Sequence, residues 1–188
     1  MNNDLYVLGE LKNSDKRAVA VVGSRDMTER GRKLTEKFVK VLVKNKITIV
    51  SGLARGIDTT AHQTALDNGG RTIAVIGSGL DIIYPPENKK LSEEITKNGA
   101  VVSGFPNGTL PEGKNFLARN QLIVKFSQAV LVIEGKRRSG TISTANHAGN
   151  EGIEVFAIAG SEATDYLIEN GASIANTPQD ILEYLNQR

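Results

Sequence analysis

The residues of this chain best placed to do chemistry are Gly, Ser and Arg, gathered where short apolar runs end. Gly23-Ser24-Arg25 closes "AVAVVG". Ser51-Gly52 closes "ITIVSG" and leads into "LARGID", with Arg55 inside it. Gly77-Ser78-Gly79 closes "TIAVIG". "GKRRSGT" (135–141) follows "AVLVIE", and Gly160-Ser161 follows "EVFAIA". A glycine lets backbone N–H groups come close to an anion, a serine adds a hydroxyl donor, and a helix that starts next adds the positive end of its dipole. Gly-Ser turns also occur for geometry alone. Arginine in three of these turns makes the set an anion-binding rim.

The most concentrated charge is Lys136-Arg137-Arg138, three cations after a buried-looking run. They must be solvated or face something negative. Arg138, next to Ser139-Gly140, is expected to point into the ligand cleft, and Lys136 and Arg137 to be solvated. Asp58 and His62 stand at i and i+4 on an expected helix. Two ligands do not make a metal site, and no nucleophile-elbow pattern surrounds Ser51, so an orienting or capping hydrogen bond is the simpler reading. His147 reads as structural and Tyr84-Pro85-Pro86 as a rigid turn. No G-x-G-x-x-G follows the first strand and no Gly-Lys-Ser/Thr opens a helix, which removes the usual signatures of NAD and ATP; no cofactor is expected. In "KNFLARNQ" (114–121), Phe116 fits equally a core residue or a stacking platform flanked by cations.

These residues need elements to hold them. The apolar runs at 18–23, 47–52, 72–77, 129–134 and 154–160, and a weaker one at 100–104, are Val/Ile-rich without polar alternation, as strands covered on both faces are. Helical patterns lie between them: 28–45, with Thr28 as N-cap and Leu34, Phe38, Val41 and Leu42 on one face; 88–99, ending at Gly99; 116–127; and 141–150. Alternating strands and helices predict a single-domain, doubly wound, mostly parallel α/β sheet. Residues 1–17 are read as a lead-in and 18–188 as the domain. Residues 104–115, with two Pro and three Gly, predict a long loop of the kind that more often serves function.

The totals limit the function classes. The chain has 188 residues, 39% hydrophobic and 23% charged, so it can bury a core. It has no cysteine, which excludes disulfides and thiolate metal sites. No apolar run approaches the ~20 residues of a membrane span, and the first residues do not form a secretion signal, so a cytoplasmic protein without a membrane partner is expected. The net charge is only +2, so a polyanion partner would have to be met by a local cluster.

"LYVLGEL", "VAVVGSR", "VSGLARGIDTTAHQTAL", "GGRTIAVIGSGLDIIYPPEN", "FLARNQLI" and "SGTISTA" follow one another in an order and spacing that resemble the Rossmann-like domain of the DNA-processing protein A (DprA/Smf) family, from about Leu5 to the end of the chain. The resemblance implies an extended Rossmann-like fold and a binding protein, not an enzyme, that holds single-stranded DNA for loading of a RecA-type recombinase in natural transformation or recombination, with a homodimer as the common assembly. It implies DNA contacts from Ser24 and Arg25, from Gly52 and Arg55, from Lys114, Phe116, Arg119 and Asn120, and from Arg138, Ser139 and Gly140. The sequence departs from the family pattern in several places. Gly104 stands where a Glu is usual, Gln121 replaces the second Arg of "RNR", and the segment between Gly160 and "YLIENGA" is short. A preceding helical domain and a following winged helix are not part of this sequence. The alternative is a binder of a small nucleotide-derived ligand in the same pocket. A phosphoribohydrolase of the LOG type, also related, needs a Glu where this chain has Thr144.

Overall fold

The computed structural model describes residues 4–187. Eight strands form one sheet: β1 (Tyr6–Gly9), β2 (Ala18–Val22), β3 (Thr48–Ser51), β4 (Thr72–Ile76), β5 (Gly99–Ser103), β6 (Ala129–Val132), β7 (Glu154–Ala157) and β8 (Ser173–Ile174). The helices are α1 (Glu29–Lys44), α2 (Ile57–Asp67), α3 (Lys89–Lys97), α4 (Gly113–Lys125), α5 (Gly140–Asn150), α6 (Glu162–Glu169) and α7 (Pro178–Asn186). Strand order is β1-β5-β4-β3-β2-β6-β7-β8, parallel throughout except for β1 against β5. Every residue of β2 to β6 is buried, which is why these strands carry Val, Ile and Ala without alternation.

The two faces take different helices. Phe38, Leu42, Ile57, Ala61, Ile181 and Leu185 bring α1, α2 and α7 onto one face, against Val19, Ile49 and Leu131. Leu91 and Ile95 of α3 continue that layer over Ala74, Ile76 and Val101. Ile123, Val124, Ala145, Ala148 and Leu167 cover the other face with α4, α5 and α6.

The expected strands and the doubly wound order are present. Residues 6–9, within the stretch read as a lead-in, form β1 and pair with β5 from Tyr6↔Ser103 to Gly9↔Ala100. Nearby, buried Asp15 accepts from Thr48 Oγ1 and from the Arg71 guanidinium, fastening this segment to the amino-terminal ends of β3 and β4. The long loop ends three residues sooner than expected. Glu112 acts as N-cap of α4, and Asn115 turns its amide back onto the Leu110 carbonyl.

Candidate functional site

From β2 the sheet grows through β3, β4 and β5 to one side and through β6, β7 and β8 to the other. Strands diverging this way leave a crevice beyond their carboxyl ends, where ligands of such sheets bind. A cleft of about 680 Å³ opens there. The turn after β2, the start of α4 and the turn from β6 into α5 line it.

Of the residues singled out in the sequence, Ser24, Arg25, Phe116, Arg119, Asn120, Arg138, Ser139 and Gly140 come together in this cleft. Gly52 and Arg55 lie instead on a small side niche of about 30 Å³, which shares Arg25, Phe116 and Arg119 with the cleft. Arg55 is exposed and ion-paired with Glu87. Lys114 lines neither space; its ammonium is 2.9 Å from Glu112 in solvent. Arg138 reaches the cleft as expected, and so does Lys136, which the sequence reading left in solvent. Arg137 turns away, its guanidinium 4.5 Å from the ring centroid of Tyr166.

Phe116 is half-buried, neither a full core residue nor a fully open platform. One side rests on the sheet, where a Cβ on Gly77 would come within 2.8 Å of it. Arg25 lies 5.4 Å and Arg119 5.9 Å from its ring centroid, at cation–π range, and the Tyr84 ring is 5.8 Å away.

Beneath this ring the charges serve the fold. Buried Arg119 donates to the carbonyl oxygens of Gly52 and of Val75, the latter at 2.6 Å, tying α4 to the ends of β3 and β4. Burial lowers its pKa to about 10, so it stays charged at neutral pH. Asp58, also buried, accepts from the N–H groups of Gly52 (3.1 Å) and Ala54 (3.3 Å), the orienting one of the two roles expected of it, and caps no helix. Burial pushes its carboxyl up, against the opposing pull of Arg119. Gly52 is thus engaged at both backbone groups, and a Cβ there would fall within 2.7 Å of Arg119 and Asp58. Its neighbour Leu53 sits at φ 58°, its carbonyl held by Asn88. His62 Nδ1 lies 2.6 Å from Thr72 Oγ1, and burial, reinforced by Arg119, brings its pKa down to about 3. The ring is therefore neutral.

The helices that follow β2 and β6, α1 and α5, begin differently. At α5 no side chain caps the first turn and no acid stands in it; Ser139 donates its hydroxyl to the Lys136 carbonyl, and Asn120 donates to Gly140 O. At α1, Thr28 caps Gly31 N, and the carboxylate of buried Glu134 accepts from both Thr28 N and Thr28 Oγ1 at 2.6 Å. The sequence reading missed Glu134 because it looks like the last residue of an apolar strand. Gly31 makes room for it: a Cβ there would collide with the Glu134 carboxylate. Thr144, in the cleft wall, donates to Gly140 O, so the hydrolase's Glu position carries a neutral side chain here. Among the described residues no cluster of three or more His, Cys, Asp or Glu could hold a metal.

A family model described as DNA recombination-mediator protein A matches residues 3–186. The chain belongs to the DNA recombination-mediator protein A family. It is 44% identical over 184 residues to DNA processing protein DprA of Streptococcus pneumoniae, covering 95% of this chain and 65% of that protein. It is 42% identical over 188 residues to protein Smf of Escherichia coli, covering 96% and 50%. A solved structure of DNA processing protein A from Helicobacter pylori, described for its single-stranded DNA binding mode, superposes with a TM-score of 0.90 at 32% identity, covering 98% of this chain and 87% of that one. The chain spans between half and two thirds of the length of these two curated relatives. The fold is the Rossmann-like one of this family.

Proposed function

We propose that the chain is a single-stranded-DNA-binding module that holds the strand in the β2/β6 cleft and presents it to a RecA-type recombinase, in natural transformation or in recombination more generally. The reading includes a homodimer working in the cytoplasm and binding without covalent chemistry. One observation carries it: the cleft collects the open cations Arg25, Lys136 and Arg138, the uncapped N-terminus of α5 and the half-exposed Phe116 ring. Cations and helix amides suit phosphates, and an aromatic face takes any base. The relatives named for DNA processing, and the Helicobacter protein with its single-stranded DNA binding mode, support the same reading. No helix among the described residues is long and apolar enough to cross a membrane.

Fluorescence anisotropy with labelled oligo-dT at several salt concentrations tests the proposal. Single-strand-preferring binding should weaken with salt at a log–log slope near −2, about −0.7 for each of three phosphates. It should fall sharply in Phe116→Ala and Arg25→Ala. If one mononucleotide competes as well as a long strand, the pocket is a small-ligand site and the proposal fails.

A further inference from the structure

We propose that Tyr84 forms a second base-stacking subsite, one nucleotide along the strand from Phe116. The inference rests on the single-stranded-DNA reading above and extends the bound path beyond the main cleft. Arg55 and Tyr84 lie off the cleft, on the side niche they share with Arg25 and Phe116. That niche, about 30 Å³, cannot enclose a base, so a base there has to lie across the rim.

The rim suits one. Tyr84 is 41% exposed, among the few large apolar side chains so open to solvent, in a molecule whose other apolar residues mostly fill the sheet faces. It follows Ile83 in a turn whose next residues, Pro85 to Asn88, are held to the β3 end through Asn88 and Leu53 O. The ring is therefore presented by a fixed turn. Its centroid is 5.8 Å from that of Phe116, with the planes tilted by 36°. Stacked nucleotides advance only ~3.4 Å along a B-form strand. Bases resting on the two rings are thus drawn apart from each other, which an unpaired strand tolerates and a duplex does not. The flanking cations fit the same path: Arg25 lies against Phe116, and Arg55 stands exposed on the Tyr84 side, within reach of Glu87. A phosphate arriving between the rings would compete with Glu87 for Arg55.

The test uses the whole chain and oligo-dT of increasing length, with a 5-iodouracil oligonucleotide for photocrosslinking. Tyr84→Ala should bind long oligo-dT about 5- to 150-fold more weakly, the range for one lost stacked base. It should bind the shortest oligonucleotide that still binds as the parent does, and Tyr84→Phe should bind like the parent at every length. Crosslinked peptides should contain Tyr84 as well as Phe116. Equal affinities for Tyr84→Ala and the parent at all lengths, or crosslinks confined to Phe116 and the main cleft, would overturn the subsite while leaving the DNA-binding reading intact. If the parent does not bind oligo-dT at all, the DNA-binding reading fails and takes the subsite with it.

Discussion

The N-termini of α1 and α5 follow adjacent parallel strands and begin with a hydroxyl N-cap, yet only one is open. At α1 the protein supplies its own anion, Glu134, which takes both Thr28 donors. At α5 the N-cap hydroxyl is turned to Lys136 O and no acid stands in the first turn. The same division runs through the arginines. Arg119 and Arg25 both lie against Phe116, but Arg119 is held by two carbonyls while Arg25 is exposed. A dipole or a cation near a cleft is thus not by itself free to meet a ligand; how free it is depends on what the fold has already given it.

The largest effect expected of this division is on stability. Arg119→Ala leaves two carbonyls unpaired and Asp58 buried without its opposing charge, so urea unfolding should show a loss of about 3–5 kcal/mol. Arg25→Ala should stay within about 0.5 kcal/mol of the parent and lose DNA affinity instead. If Arg119→Ala were as stable as Arg25→Ala, the distinction between fold-bound and open cations would collapse. Ser139→Asp would make α5 resemble α1. Oligo-dT binding should drop about 100-fold, because the new carboxylate stands where a phosphate would. The melting temperature should hold or rise, since Asp caps as well as Ser and suits the dipole.

The converse change, Glu134→Gln, withdraws the internal anion from Thr28. It should cost about 1–3 kcal/mol of stability and leave oligo-dT affinity unaltered. A gain in DNA binding there would mean that α1 had been a strand site held shut. Smallest of all, Arg138→Ala should reduce the salt slope by about 0.7, one single-strand phosphate contact. Arg137→Ala, whose guanidinium rests on Tyr166, should leave the slope as it was.

Much of this arrangement was legible in the chain itself. Central strands buried on both faces announce themselves as uninterrupted Val/Ile runs, and even the weak "AVVSG" run proved to be wholly buried as β5. The Gly-Ser-Arg strand ends then located the cleft, because parallel strands deliver all their carboxyl ends to one edge. Short edge elements escaped: β8 has two residues, too few for any periodicity, and β1 is open to solvent along most of its length. Helix α7 was missed although Thr177, Pro178 and Asp180 make a capping box with proline in the first turn, a readable start signal. What sequence could not show was which charges are neutralised from within. Asp58 and Arg119 are distant in the chain, and Glu134 meets Thr28 across 106 residues. Pairings set by tertiary closure leave no local pattern, so Gly52, Arg55 and Arg119 read as equivalent to Arg25 and Arg138 until their partners are seen.

The tie from Arg119 to the Gly52 and Val75 carbonyls has a thermodynamic consequence. It fixes the first turns of α4, and with them the Phe116 ring, to the rigid middle of the sheet before any ligand arrives. If a single strand binds there, as proposed, the protein loses little conformational freedom, and the entropy lost is almost entirely that of the flexible strand. Discrimination between ligands would accordingly follow how easily each strand can be straightened, with pliant thymine runs favoured over self-stacking adenine runs of the same length.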